Sequence, residues 1–506
     1  MFPIDLFHRQ AKATPDCVAV EAGETSVTYA DLHASAEAFA AALQDIDPEP
    51  GSRVGICCFN HVAHLVAWLG VLAAGKVWVP LYPKNKADEI GRAVEFTGMS
   101  IVVVDPEVRD LVSREGVAIV STSLDGDESS VDGLVARFAG QRPTFHPLPL
   151  DATQAIKFTG GSTGVPKGVM QPYRAWNANI ASQIVSWNLQ LDDRYLAAAP
   201  ITHGTSTYIL PTLGTGGTIV LMDQPRPADV LDQLANKAIT TTFVPPTLIY
   251  MMMQERGVES LRFERLRNLV YGSAPMRSEE IERAQRIFGP VIASTYGQTE
   301  APQIATMISA TDLLRDDKRA SVGRETFLTR VAVLDGDGNE VPVGKVGEIV
   351  IRGDLVMTGY WRQPERTAET IRDGWLHTGD LGSFDEEGFL FIKGRSKDVV
   401  ITGGFNVYPS DVEPVIAEHD AVADCAVFGV PDDKWGEAVH AAVQFKPGHT
   451  ADPADIIRHV KDRLGSVKAP KSVVIYDQLP RNAYGKLQKQ VLVDDFETGR
   501  CAKETA

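Results

Sequence analysis

Apolar and polar positions fall into alternating blocks along the chain. Between residues 29 and 43 the apolar side chains share one helical face, and Thr28 stands just before them as a capping residue. That pattern predicts an N-capped helix. Residues 54–58 and 101–104 are short unbroken apolar runs, which predict strands buried on both faces. Helix-like and strand-like blocks keep alternating through about the first 390 residues, the signature of layered α/β structure. The longest apolar run, 65–75, is shorter than the roughly 20 residues a membrane span requires.

Near residue 385 the pattern changes. Asp385, Glu386, Glu387 and Gly388 form a turn signal between strand-like pieces at 377–384 and 389–393. Further on, Val439, Ala441, Val443 and Phe445 alternate with their neighbours, predicting a strand with one buried face. Ile456, Ile457, Val460 and Leu464 line one helical face behind Asp452 and Pro453, an N-cap followed by a first-turn proline. The expectation is a large N-terminal α/β domain, 1–396, and a smaller α+β C-terminal domain, 397–506, of a size that holds its own core.

Composition narrows the function. The chain has 506 residues with 49 Lys+Arg against 66 Asp+Glu, a formal charge of −17. That balance argues against a nucleic acid or an anionic membrane as the main partner, while a few local cations still suffice for phosphate. Cys17, Cys57, Cys58, Cys425 and Cys501 are odd in number and lack metal-ligand spacing, so neither a disulfide scaffold nor a structural metal is expected. Residues 1–9 lack the apolar stretch of a secretory signal, and the expected location is the cytoplasm.

The densest chemical signal is Phe158, Thr159, Gly160, Gly161, Ser162, Thr163, Gly164, Val165, Pro166, Lys167 and Gly168. Glycines and hydroxyls in a tight loop let backbone N–H groups and Oγ atoms approach phosphate oxygens, and Lys167 supplies charge. Pro166 before the lysine and Gly168 after it separate the string from a Walker loop. Further on, Gly272, Ser273, Ala274 and Pro275 precede Thr295, Tyr296, Gly297, Gln298, Thr299 and Glu300. Tyr296 offers a π face for a purine, and Glu300 a hard oxygen for a phosphate-bound Mg²⁺. Asp380 closes a string from Gly374, and a carboxylate there suits the two hydroxyls of a ribose. Gly394, Arg395, Ser396, Lys397 and Asp398 follow, and a last string runs from Leu479 through Gly485 to Lys486.

Taken in order, these strings resemble the adenylate-forming superfamily of acyl- and aryl-CoA ligases, peptide-synthetase adenylation domains and beetle luciferases. The resemblance spans most of the chain. It implies that 159–164, Lys167, Ser273–Pro275, Thr295–Thr299, Asp380 and Arg395 bind ATP and AMP, with Glu300 and Thr163 on Mg²⁺. It implies that Lys397 is the hinge of a mobile C-terminal domain. Lys486 is then the catalytic lysine, neutralising charge as two anions meet. Lys489 stands where the family commonly has arginine.

The same resemblance bears on the substrate. His203, in Pro200–Gly204, occupies a position where amino-acid-activating relatives carry an aspartate, so an amino acid would lose its ion-pair partner. His203, Gly272 and Ala301 are expected at the acyl pocket, with at most two of Met251, Met252 and Met253 lining one surface. Gly403, Gly404, Phe405 and Trp435 resemble segments that line the CoA tunnel in CoA ligases. The implied activity is ATP-dependent ligation of a carboxylic acid to CoA through an acyl-adenylate, with His203, Glu300 and Lys486 as catalytic residues. The acid is aromatic or medium-chain, the partner is this small molecule, and a homodimer is allowed. Loading of a carrier-protein thiol, a luciferase-type monooxygenase and a non-catalytic relative are the alternatives.

Overall fold

The computed structural model describes residues 1–112, 114–122, 127–159, 167–481 and 487–500. Two compact units divide the chain: Met1–Val331 with Ile351–His377, and Ala332–Val350 with Thr378–Ala506.

The first unit is built on two sheets. In the nine-stranded sheet the order is Arg324–Glu325, Ala301–Ile308, Ile292–Gln298, Asn268–Tyr271, Thr241–Val244, Arg194–Ala197, Thr218–Leu221, Val18–Ala22, Thr25–Thr28. Its central neighbours run parallel. In the seven-stranded sheet the order is Gly359–Tyr360, Lys167–Pro172, Thr153–Thr159, Val77–Pro80, Arg53–Cys57, Ile101–Val104, Ala118–Ser121. The continuous apolar runs behave as expected. Every residue of Ile101–Val104 is buried, because helices cover both faces of a parallel sheet.

The helix expected at 29–43 extends over Tyr29–Ile46, and the Thr28 hydroxyl accepts from the Asp31 N–H at 3.1 Å. The longest apolar run lies in the buried helix Val62–Ala73. A signal absent from the capping rules starts it: His61 Nδ1 accepts from the His64 N–H at 3.2 Å. Trp68, Trp78 and Trp176 meet at ring separations of 5.6–6.1 Å in the core between these layers. Two of the three pairs are edge-on, and such pairs contribute about 0.5–1.5 kcal/mol each beyond their area burial. Among the described residues no helix is long and apolar enough to cross a membrane. Among the described residues, Cys17, Cys57, Cys58 and Cys425 form no disulfide.

In the second unit, Asp385 closes the expected hairpin by accepting from the N–H groups of Glu387 and Phe389, joining Trp375–Phe384 to Leu390–Arg395. The expected helix forms at Pro453–Leu464, its start held by Asp452 accepting from Ala454 N–H at 2.9 Å. One expectation is corrected. The strand Gly436–Phe445 is buried on both faces from Ala438 to Val443, not on one. Val439, Ala441 and Val443 pack under the helices with Val412, Ile416, Ile456 and Val460. Ala442 packs on the opposite side with Leu479 and Leu492. His440, which reads as polar in sequence, packs its ring 4.2 Å from Phe496 and meets Ser472 Oγ at 2.7 Å.

Candidate active site

In the first unit, the strand pair Ile292–Gln298 and Ala301–Ile308 carries the string from Thr295 to Glu300. Tyr296 is 9% exposed on the first strand, with Thr306 opposite. Thr295 turns its hydroxyl to the carbonyl oxygens of Gln303 and Thr306 at 2.6 and 3.1 Å. That side chain therefore braces the hairpin. Gln171 Nε2 donates to the Thr299 carbonyl at 2.8 Å, fixing the turn. The Glu300 carboxylate accepts from the Tyr360 hydroxyl at 2.8 Å, and its carbonyl accepts from Met357 N–H. Burial, then the charge of Glu300, raises the Tyr360 phenol above its usual range, so it remains a donor. No cationic side chain pairs with Glu300 among the described residues.

The residues expected at the acid lie on the same unit. Ala301 is fully buried on its strand. A side chain at Gly272 would lie 3.1 Å from the Phe243 ring and 3.2 Å from the Thr295 carbonyl, so backbone and ring meet there without a Cβ. Gly272 ends the strand Asn268–Tyr271 and leads to exposed Ser273, Ala274 and Pro275, with Ser273 at φ +69°. Gln303 Nε2 meets the Tyr208 hydroxyl at 3.2 Å, and the Tyr208 ring stacks on Phe243 at 5.2 Å. Of the methionines, Met252 and Met253 are buried and Met251 is exposed.

His203 sits in the turn Ile201–Thr205 with φ −108° and ψ −142°, outside helical geometry. Its Nδ1 meets the Thr202 hydroxyl at 2.8 Å, and its ring meets Tyr82 edge-on at 4.9 Å. Burial, then the charge of Lys157, pushes the imidazole down to about 4. It is neutral at physiological pH.

Of the glycine-rich string at 158–168, the two flanks are among the described residues. Thr159 and Lys167 face each other in the antiparallel register of Thr153–Thr159 and Lys167–Pro172. Gly160, Gly161, Ser162, Thr163 and Gly164 lie outside the described residues, as does Lys486.

In the second unit, Asp380 and Arg395 are direct partners across their hairpin, with Arg395 Nε 2.6 Å from Asp380 Oδ1. Asp380 is 6% exposed. Lys397 lies exposed in the short turn Ser396–Asp398, inside this unit. Gly403 and Gly404 form a two-residue hairpin turn at φ +56° and +82°. Gly403 N–H donates to the Trp435 carbonyl at 2.7 Å, and a Cβ there would lie 3.1 Å from the Trp435 ring. Trp435 is 41% exposed and Phe405 61% exposed. Lys434 and Lys471 Nζ lie 4.8 and 5.5 Å from the Trp435 ring centre. Lys489, the departure noted in the sequence, donates to Glu413 at 2.7 Å and to the Val427 carbonyl at 3.0 Å.

Sequence reasoning missed Tyr360, Phe243, Tyr208 and Lys157 at these places. Tyr360 lies 60 positions from its partner Glu300, and no local pattern signals that contact.

The mixed α/β fold, with a large first unit and a smaller second one, is that of enzymes that ligate a carboxylic acid to CoA with ATP. The chain belongs to the AMP-binding enzyme family, whose model matches residues 7–361, with the AMP-binding enzyme C-terminal domain matching 411–486. It is 33% identical to the medium/long-chain-fatty-acid–CoA ligase FadD8 of Mycobacterium tuberculosis, over 94% of this chain and 87% of that protein. It is also 33% identical to a feruloyl-CoA synthase of Amycolatopsis, over 95% and 96% of the two chains. The ATP-bound structure of MatB from Rhodopseudomonas palustris superposes with a TM-score of 0.89 at 31% identity, covering 98% of this chain and 99% of that one.

Proposed function

We propose that this protein is a cytoplasmic ATP-dependent carboxylic acid–CoA ligase acting through an acyl-adenylate. The observation that carries the nucleotide reading is the Asp380–Arg395 pair: a nearly buried carboxylate for ribose hydroxyls beside a guanidinium for ribose or phosphate. Tyr296 stacks on the adenine. Thr159, Lys167 and the loop between them hold the phosphates.

In the first half-reaction an oxygen of the substrate carboxylate attacks the α-phosphorus, and pyrophosphate leaves. The carboxylate is ionised at neutral pH, so no general base is needed. Lys486 neutralises the two anions as they meet. Glu300 suits Mg²⁺, because its one described side-chain partner is a neutral hydroxyl and its charge stays uncompensated. Glu300 with Thr163 would hold the ion, which supplies charge neutralisation on the phosphates. In the second half-reaction the CoA thiol attacks the acyl carbon and AMP leaves. Lys397 is the pivot between the halves. Gly403, Gly404, Phe405 and Trp435 receive the pantetheine arm. His203, Gly272 and Ala301 bound the acyl group, which is aromatic or medium-chain. The partner is that acid, with neither nucleic acid nor an integral membrane involved, and a homodimer is allowed.

The test is Lys486→Ala. Pyrophosphate release should fall by roughly 10²–10³-fold, the usual loss for one preorganised charge-stabilising donor. Thioester formation from supplied acyl-adenylate should remain largely intact. Equal loss in both halves overturns the assigned role. ADP in place of AMP overturns adenylation itself, and loading of a carrier-protein thiol in preference to free CoA overturns the acceptor.

A further inference from the structure

Lys157 has no part in the chemistry above, yet it is enclosed within the first unit without an acidic partner. It lies on the strand Thr153–Thr159 and is 9% exposed. Its Nζ donates to Ser206 Oγ at 2.9 Å and to the His203 carbonyl at 3.2 Å. The same atom lies 4.9 Å from the ring centre of Trp78 and 5.4 Å from that of Trp176. No carboxylate lies within ion-pair distance among the described residues.

A buried cation is costly unless its N–H groups are satisfied. An apolar side chain of similar length would fill this volume without that cost. The two oxygens Lys157 engages both belong to the segment that carries His203. The preceding side of that segment is held from elsewhere. Asn60 Nδ2 donates to the carbonyls of Ala197 and Ala199, and its Oδ1 accepts from Ile201 N–H. Lys157 holds the following side from the strand, where Ser206 Oγ also donates to the His203 carbonyl at 2.8 Å.

We propose that Lys157 is a positioning residue for the acid site: its grip on the His203 carbonyl and Ser206 hydroxyl fixes the turn Ile201–Thr205, and with it the face the His203 ring presents to the substrate. The inference rests on reading His203 as a wall of that site. Electrostatics act in the same direction. Among the described residues, Lys157 faces His203 from the strand and Tyr82 meets it edge-on. Burial alone pushes Lys157 down to about 7, so at pH 4–6 it is charged and opposes protonation of His203.

The experiment uses the full chain with Lys157→Met. The acid is whichever gives the fastest pyrophosphate release among benzoates, phenylpropenoates and fatty acids. KM for that acid should rise on the order of tenfold, while KM for ATP stays within about twofold. An NMR titration of the His203 imidazole should show its midpoint rising from the wild-type value near 4, since the repelling charge is gone. Equal changes in the two KM values, or an unmoved His203 midpoint, overturn the proposal. Should Lys157→Met fail to fold, Ser206→Ala tests the same grip, with a smaller rise in acid KM expected and no rise overturning it. His203→Ala separates the two levels. If it raises acid KM and Lys157→Met does not, the Lys157 proposal falls alone; if it changes nothing, the reading of the acid wall falls too.

Discussion

Glu300 and Asp380 are the two carboxylates proposed at the nucleotide, one in each unit, and they are held in opposite ways. Glu300 accepts from a neutral phenol. Asp380 is gripped by a guanidinium at 2.6 Å. A hydroxyl partner orients a carboxylate and leaves its charge available, which suits a cation. A guanidinium partner spends that charge locally and leaves lone pairs, which suits the hydroxyls of a sugar. The comparison teaches that one functional group, the carboxylate, is fitted to different partners by its neighbours, not by its own motif.

Of the changes at these two carboxylates and their partners, Glu300→Gln should have the largest effect. It keeps the shape and removes the charge, so pyrophosphate release should drop on the order of a hundredfold. Full activity at ordinary Mg²⁺ would break the comparison. Asp380→Asn comes next. It leaves Arg395 without its partner and replaces one acceptor oxygen by a donor. KM for ATP should rise roughly ten- to a hundredfold, as for hydrogen bonds to charged groups. A change confined to the acid KM would count against the ribose assignment. Tyr360→Phe is the smallest change. It deletes one hydrogen bond donated by a neutral hydroxyl but keeps the Glu300 charge, so adenylation should slow by about two- to tenfold. A loss as large as that of Glu300→Gln would show that the phenol does more than orient.

Much of this was legible in the sequence, and the failures share a cause. Ile101–Val104 announces itself because a strand covered on both sides has no polar position to spare. Thr28 and Asp452 announce helix starts because capping is a local bond. The hairpin holding Asp380 opposite Arg395 follows from a turn and two flanking strands. Gly436–Phe445 misleads because His440 looks like a solvent-facing residue, while Phe428, Phe496 and Ser472 from other elements satisfy it. Lys157 misleads in the same way: two tryptophans and a hydroxyl from other elements make a core position tolerate an amine. Tyr360 is invisible until the strand Gly359–Tyr360 is laid beside Lys167–Pro172.

The order of strands in the nine-stranded sheet also sets a timetable. Val18–Ala22 pairs in parallel with Thr218–Leu221, placing Val20 beside Ile219, and Tyr29 reaches the carbonyls of Leu213 and Gly217. During translation the early strand pair must wait for roughly 200 more residues, or about ten to forty seconds at about 5–20 residues per second. A lone two-strand hairpin is marginal in water. Ribosome-bound chains halted shortly before Ile219 emerges should therefore be cut by protease within Val18–Thr28, and chains halted well beyond it should be protected there.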